Sequence, residues 1–216
     1  MKIKTAVGAA ILGVSMSASL AFGLDTASRS PVGPAKSDSA TEYDKTLPPV
    51  GFVKFCASNP QDCKADGKLF VGKLAMSPDR WNQLYQVNSY VNGKIAPVSD
   101  KDLYGEAEYW TYPVDAGDCE DYVLLKKRYL ESLGFPATAL LITVVLDEKS
   151  EGHAVLTVAT DGGDFVLDNR RDDILRWNDT KYTFLKRQTT RDPMRWVALS
   201  KQKAEVTGFM TKGAGR

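Results

Sequence analysis

The sequence has few of the residues that build common metal centres, and its charges nearly cancel. Its 216 residues include one His and three Cys, and no two of the cysteines form a C-x-x-C pair. A single imidazole excludes a centre built from several histidines, and the missing C-x-x-C pair argues against structural zinc. With 28 basic and 27 acidic side chains, the composition gives no reason to expect binding to nucleic acid or to an anionic membrane surface.

The chain also lacks an apolar run long enough for a comfortable membrane span. Two lysines within the first four residues precede an apolar, small-residue stretch at 6–21. This is the pattern of a secretory signal peptide. We predict a signal peptide over residues 1–23, with cleavage after Gly23, although cleavage after Ala21 fits nearly as well. The mature chain is then exported without a transmembrane segment, into a compartment where disulfides persist.

The rest of the composition is that of one globular domain. Hydrophobic residues make up 43% of the chain and charged residues 25%, which is ordinary for a protein with a packed core. The Ser-, Ala- and Pro-rich segment 24–46 is predicted to be a flexible linker. Residues 47–200 form the predicted domain, and residues 201–216 form a predicted flexible tail.

The front of the domain has helical patterns. Ser77-Pro78 is a typical helix start, and Asn92-Gly93 is a typical stop. A second helix is predicted from Cys119 to Leu133, with the basic run at 126–128 on its solvated side.

Beyond Pro136 the patterns are those of strands joined by short connections. The predicted strands are Thr138–Leu146, His153–Ala159, Phe165–Asp168, Tyr182–Arg187 and Arg195–Leu199. Short connections favour antiparallel neighbours. We therefore predict the α+β class, with helices packed on one side of an antiparallel sheet.

The three cysteines divide into a pair and a single residue. Cys56 and Cys63 are predicted to form a disulfide, which the chain-entropy model values at about 2.5 kcal/mol. Cys119 is then unpaired at the start of a helix, where free N–H groups and the helix dipole favour a thiolate. Two alternatives stay open: Cys119 pairs with one of the other cysteines, or it is a small buried residue at a helix start. Nearby carboxylates oppose thiolate formation unless something neutralises them.

The single imidazole and one carboxylate lie on two neighbouring predicted strands. Depending on the register of the hairpin, His153 is opposite Asp168 or diagonal to it, so the two side chains share a face about 4.5–8 Å apart. A carboxylate there can orient the ring and leave the second nitrogen facing a thiol. The alternative is a surface hairpin with an incidental His–Asp pair.

Three ordered segments, Gly117–Tyr122, Gly152–Leu156 and Val166–Arg170, resemble the bacterial transglutaminase-like cysteine proteinases. The best-understood branch of that family is the LapG-type periplasmic proteases, which cleave cell-surface adhesins. The resemblance implies a papain/transglutaminase-like core and a periplasmic or secreted location. It also implies a triad with Cys119 as nucleophile, His153 as general base and acid, and Asp168 as the orienting group.

The same resemblance implies calcium beside the cysteine. The matching acidic positions are Asp118 and Glu120, with Asp121 as a weaker candidate. A hard cation takes oxygen ligands and would cancel the repulsion that these carboxylates exert on a thiolate. The alternative is a capped, solvated helix start without metal.

These observations predict a periplasmic cysteine endopeptidase that acts on a protein or peptide. Two other functions stay open: a transglutaminase or amidase with the same triad, and a non-catalytic calcium-dependent binding module. A regulatory membrane protein is a further partner that the resemblance allows, and no nucleic-acid partner is expected.

Overall fold

The computed structural model describes residues 39–64 and 73–200. The predicted signal peptide over 1–23, residues 24–38 of the predicted linker, and the predicted tail over 201–216 lie outside the described residues. In the described part, no helix has the length and apolar character that a membrane crossing requires.

A seven-stranded antiparallel sheet forms the centre of the described domain. Its strands are β1 (Lys45–Thr46), β4 (Leu140–Leu146), β5 (Gly152–Thr160), β6 (Gly163–Asp168), β7 (Arg171–Arg176), β8 (Thr183–Gln188) and β9 (Trp196–Ala198). Their spatial order is β1-β9-β8-β4-β5-β6-β7. Two further short strands, β2 (Ala96–Pro97) and β3 (Ala116–Gly117), pair in parallel away from this sheet.

Four α-helices accompany the sheet in the described residues: α1 (Val50–Ser58), α2 (Pro78–Lys94), α3 (Asp100–Tyr104) and α4 (Cys119–Ser132). The predicted α+β class is confirmed. The Ser77 hydroxyl accepts a hydrogen bond from the Arg80 N–H at 3.2 Å and caps α2, as the sequence predicts. The helix continues past the predicted stop at Asn92-Gly93, and the Asn92 side chain instead bonds the Asp168 carbonyl oxygen on the sheet.

Helix α4 lies in the interior rather than on the surface. Leu124 and Leu130 pack in the same core as Leu156 and Leu167 of the sheet. The prediction that the basic run at 126–128 is solvated is wrong for its first two members, because Lys126 is 0% exposed and Lys127 is 5% exposed. The helix also packs against α2, and Arg128, the third basic residue, is exposed as predicted.

The packed domain begins earlier than the predicted boundary at residue 47. Residues 45 and 46 form β1, which pairs with β9. Upstream, Glu42 forms an ion pair with Arg187 at 2.9 Å, and the Ala40 N–H donates to Asp164 at 3.0 Å. The part of the predicted linker that the structure describes is therefore bound to the sheet. Short polar segments of this kind give little sequence signal because they bury little apolar surface.

The predicted disulfide between Cys56 and Cys63 is present and joins the end of α1 to the loop that follows it. Cys119 is free.

Candidate active site

The start of α4 is fixed by a short parallel ladder. The Ala96 N–H donates to the Asp115 carbonyl at 2.8 Å, and the Val98 N–H donates to that of Gly117 at 3.0 Å. This ladder sets the beginnings of α3 and α4 beside each other. A residue with a side chain does not fit in place of Gly117, because an added Cβ would lie 2.6 Å from a carboxyl oxygen of Asp121.

Cys119 is the first residue of α4, as the sequence predicts, and its side chain is partly buried. The thiol donates to the Glu120 carboxylate, with 3.1 Å between Sγ and Oε2. Burial raises the pKa of the Cys119 thiol well above its usual value, and the charges of Glu120 and Asp118 raise it further. A hydrogen bond from the Ala154 backbone N–H acts in the opposite direction. Buried beside these carboxyl groups, the sulfur is therefore held as a thiol.

His153 and Asp168 form a buried hydrogen-bonded pair. The hairpin pairs Leu156 with Leu167, which is the second of the two registers considered and makes Asp168 the diagonal neighbour of His153. The distance from His153 Nε2 to Asp168 Oδ1 is 3.0 Å, and each side chain is 1% exposed. The pair is therefore buried, and the alternative is wrong in placing it on a surface hairpin.

The electrostatics of Asp168 are those of a permanent carboxylate. Burial by itself raises the pKa of Asp168, but hydrogen bonds from His153, Tyr182 and the Arg170 N–H outweigh it and hold the pKa well below its usual range. The other ring nitrogen, His153 Nδ1, is buried and has no hydrogen-bond partner among the described residues. The strand residue next to His153 is Ala154, whose N–H contacts the sulfur of Cys119. The helix start and the hairpin thus meet at one place.

Four buried carboxylates surround the start of α4. Ligand atoms of Asp118, Cys119 and Glu120 lie within 4.8 Å of one another, and so do those of Asp100, Asp118 and Asp121. Burial is the main reason that the pKa of Asp100 rises to about 6 and that of Asp121 to about 8. Burial and the charge of Asp118 raise the pKa of Glu120 well above its usual value.

This cluster is buried, so the expectation of a solvated helix start is wrong. The Asp118 side chain makes no cap hydrogen bond to α4, and its Oδ2 instead accepts from the Asp100 N–H at 3.4 Å. In the described residues, one buried oxygen of each carboxyl group has no hydrogen-bond partner; the four groups are Asp100, Asp118, Glu120 and Asp121. Oxygen atoms of this kind are the ligands that calcium takes.

Two residues near the site were not predicted from the sequence. Asp100 joins the cluster because the ladder of β2 and β3 brings α3 to α4. The Tyr182 hydroxyl donates to Asp168 Oδ2 at 2.6 Å, although the sequence gives Tyr182 only as the start of a strand. No local pattern marks either residue, since each acts across a contact distant in sequence.

A free thiol at a helix start, next to a buried His–Asp pair on a hairpin, is an arrangement suited to thiol-dependent acyl transfer. The sequence profile of the family described as bacterial transglutaminase-like cysteine proteinase BTLCP matches residues 42–204. The chain therefore belongs to this family and is a cysteine peptidase, which confirms the resemblance drawn from the three segments. No curated protein matches the chain.

Solved structures similar to the chain include three of Legionella pneumophila LapG. One is 26% identical and covers 57% of this chain and 69% of its own, with a TM-score of 0.47. The calcium-bound form is 23% identical and covers 63% and 78%, with a TM-score of 0.48. The EGTA-treated form is 25% identical and covers 59% and 72%, also with a TM-score of 0.48.

Proposed function

We propose that this peptidase is a periplasmic or secreted endopeptidase that cleaves a protein or peptide through Cys119, His153 and Asp168. The observation that carries the proposal is the state of the imidazole. Its Nε2 is bound to Asp168, and its Nδ1 is buried without a partner beside the strand amide that contacts the Cys119 sulfur. A ring held in this way has one nitrogen available for a proton from the thiol.

The reaction proceeds by acyl transfer. Asp168 accepts a hydrogen bond from Nε2–H, which keeps the lone pair of the imidazole on Nδ1. Nδ1 takes the thiol proton while sulfur attacks the amide carbonyl, and the same nitrogen then returns the proton to the leaving amine. Water, deprotonated at Nδ1, hydrolyses the thioester. The Cys119 backbone N–H, free at the start of α4, is the first donor to the oxyanion.

Calcium fits the acidic cluster. Asp118, Glu120 and Asp121 would hold it, as the resemblance implies. Their ligand atoms fall into two groups that share Asp118: Asp118 lies near Glu120 in one, and near Asp121 and Asp100 in the other. The bound cation supplies positive charge, which offsets the carboxylates that raise the pKa of the Cys119 thiol. The orphaned oxygens of these side chains support this assignment.

The first test is replacement of the nucleophile. Cys119→Ala is expected to abolish hydrolysis and to leave the midpoint of thermal unfolding nearly unchanged, because the substitution removes one partly buried sulfur. Asp168→Asn is expected to reduce kcat by about 10²–10⁴, since the imidazole then loses its orienting acceptor. Activity is measured by N-terminal sequencing of fragments from candidate cell-surface proteins incubated with mature protein, with and without EGTA. Hydrolysis by the Cys119→Ala protein overturns the triad.

The same triad can pass the acyl group to an amine instead of water. A glutamine peptide incubated with a labelled amine separates the two outcomes, because a transglutaminase incorporates the label and a peptidase does not. Membership in a cysteine peptidase family counts against the non-catalytic binding module. A regulatory membrane protein stays a prediction from the resemblance alone.

A further inference from the structure

We propose that Tyr182 is a positioning residue for this reaction: its hydroxyl fixes the orientation of the Asp168 carboxylate, and its ring covers the hydrogen bond between Asp168 and His153. The proposal rests on the proposed function, in which Asp168 acts through His153.

The two oxygens of Asp168 have different partners. Oδ1 accepts from His153 Nε2 and from the Arg170 N–H, each at 3.0 Å. Oδ2 accepts from the Tyr182 hydroxyl at 2.6 Å, while the nearest nitrogen of Arg171 is 3.9 Å away. Rotation about the terminal carboxyl bond is soft. A short bond to Oδ2 therefore sets the plane of the group and directs Oδ1 at the imidazole.

The Tyr182 ring forms the outer wall of the pair. It lies edge-on to the imidazole, with 5.6 Å between ring centroids and an interplanar angle of 77°. The ring packs with the smaller apolar cluster of the sheet, which contains Val155 and Phe184. The side chains of Arg170 and Arg171, which are 30% and 38% exposed, lie on the solvent side of Asp147 and Asp168. The aromatic ring excludes water from a hydrogen bond to a carboxylate, which strengthens that bond.

The Tyr182 hydroxyl keeps its proton near neutral pH and so donates to Asp168. Burial, and then the charge of Asp168, raise the pKa of Tyr182 above its usual value. Asp168 remains ionised in the same range, because its pKa is held low. The donor and acceptor roles in this bond are thus fixed.

Two substitutions separate the hydroxyl from the ring. Tyr182→Phe keeps the ring and removes the donor, and it is expected to lower kcat about 10- to 100-fold with little change in KM, the range for loss of a hydrogen bond to a charged group. Tyr182→Leu also removes the wall, and a larger loss of kcat is expected. Tyr85→Phe makes the same chemical change at an exposed residue of α2 and is expected to have no effect.

The structural readout uses the fact that the chain has one histidine. In a protein purified without a histidine tag, every imidazole NMR signal belongs to His153. We expect the Nε2–H proton of wild type and Tyr85→Phe to exchange slowly with water. In Tyr182→Phe the exchange is expected to be at least several-fold faster, while the backbone amide signals of the sheet stay unchanged and show an intact fold.

The two proposals fail in different ways. Unchanged exchange and unchanged kcat in Tyr182→Phe overturn the role of Tyr182, whatever the Cys119→Ala protein does. Hydrolysis by Cys119→Ala overturns the proposed nucleophile, and the His153 signals still report whether Tyr182 protects the pair. Equal kcat loss in Tyr182→Phe and Tyr85→Phe also overturns the positioning role, since the effect then does not depend on the contact with Asp168.

Discussion

At the residue scale, the chemistry of the site depends on buried ionisable side chains, whose charges are poorly screened by solvent. The pKa of Cys119, Asp121 and Glu120 is raised by burial and by neighbouring carboxylates. Asp168, which has positive partners and hydrogen-bond donors, is shifted in the opposite direction. One end of α4 thus disfavours negative charge, while the hairpin beside it stabilises a carboxylate.

The acidic cluster gives a pH-dependent stability whose sign can be worked out. In the folded protein the pKa of Asp121 is about 8 and that of Asp100 about 6, whereas an unfolded Asp has a pKa of about 3.9. The folded state therefore binds more protons between these values, and stability falls as the pH rises from about 4 to about 8. Without calcium, we expect the unfolding midpoint in EGTA to be lower at pH 8 than at pH 5.

Calcium is expected to reverse this loss. It should raise the unfolding midpoint at pH 8, where the carboxyl groups ionise most readily, and raise it much less at pH 5. Asp121→Asn should stabilise the protein in EGTA at pH 8 and reduce the effect of calcium. Asp79→Asn alters an exposed carboxylate in α2 and serves as the matched control. If the midpoint of unfolding at pH 8 is the same with calcium and with EGTA, the acidic cluster does not bind calcium.

The positions of Cys119, His153 and Asp168 were accessible from the sequence because each follows from local structure: a helix start, and two strands joined by a short turn. Asp100 was not accessible, because its contact with Asp118 depends on the two-residue ladder between β2 and β3. Strands of that length leave no alternating pattern to read.

At the element scale, α4 shows how a correct helix boundary can accompany an incorrect choice of exposed face. The predicted helix from Cys119 to Leu133 differs from the observed one by a single residue at its end. Its polar side chains at 126 and 127 suggested a solvated stripe, yet both are buried. Lys127 is accommodated by the carbonyl oxygens of Ala137 and Leu140, at 2.9 and 2.6 Å. In the described residues, Lys126 Nζ has no hydrogen-bond partner.

Lys126 is therefore expected to destabilise the fold in its charged form. Burial lowers the pKa of Lys126 to about 7, although the charges of Asp168 and Asp172 act against this. Because an unfolded lysine has a pKa of about 10.4, the unfolded state binds more protons between these values. The destabilisation is complete below about pH 7 and disappears as the pH rises to about 10.4.

Lys126→Met should then stabilise the protein by about 1–4 kcal/mol at pH 6, the range known for apolar replacement of buried charges. The gain should shrink toward pH 10. Urea denaturation at the two pH values measures it. Lys127→Met, which removes two hydrogen bonds to buried carbonyls, should instead destabilise by about 1–3 kcal/mol. A loss of stability in Lys126→Met at pH 6 contradicts the expectation.

Strand β7 is the element that the sequence pattern concealed. It falls between the predicted strands Phe165–Asp168 and Tyr182–Arg187, where the sequence pattern predicts no strand. Its residues Arg-Asp-Asp-Ile-Leu-Arg are mostly charged and lie at the edge of the sheet. Charged side chains protect an edge from pairing with other chains, and they also remove the apolar alternation by which a strand is recognised.

At the scale of the whole molecule, a charge network joins two strands, β8 and β6, that are not neighbours in the sheet. Arg187 of β8 binds Asp164 of β6 at 2.6 Å through one nitrogen and Glu42 at 2.9 Å through another. Asp164 also accepts from the Ala40 N–H. Two strands and the N-terminal described segment are thus joined by one guanidinium group, which suits arginine because its donors form a rigid fork.

Arg187→Met should destabilise the protein by about 3–5 kcal/mol, since it leaves the carboxylate of Asp164 buried without its cation. Glu42→Gln weakens only the partner that is 39% exposed, and a loss below about 1 kcal/mol is expected. Equilibrium urea unfolding of both variants measures the difference. Similar losses in the two variants would show that the buried half of the network does not dominate.

The α+β class and the five inner or long strands follow from the sequence because apolar runs and turn residues mark them. The order of strands in the sheet and the early start of the domain cannot be predicted from the sequence. They depend on which distant segments meet, as Glu42 and Arg187 do.

The ladder between β2 and β3 has an evolutionary consequence. It clamps both ends of the segment 98–115, which contains α3 and carries Tyr104, Tyr109 and Val114, whose side chains are exposed. Because the clamp fixes the ends, the exposed stretch 105–107 can change in length or sequence without displacing the sulfur. Closing a longer loop costs little extra entropy. An insertion there is a route by which related enzymes could acquire new selectivity while keeping the same reactive centre.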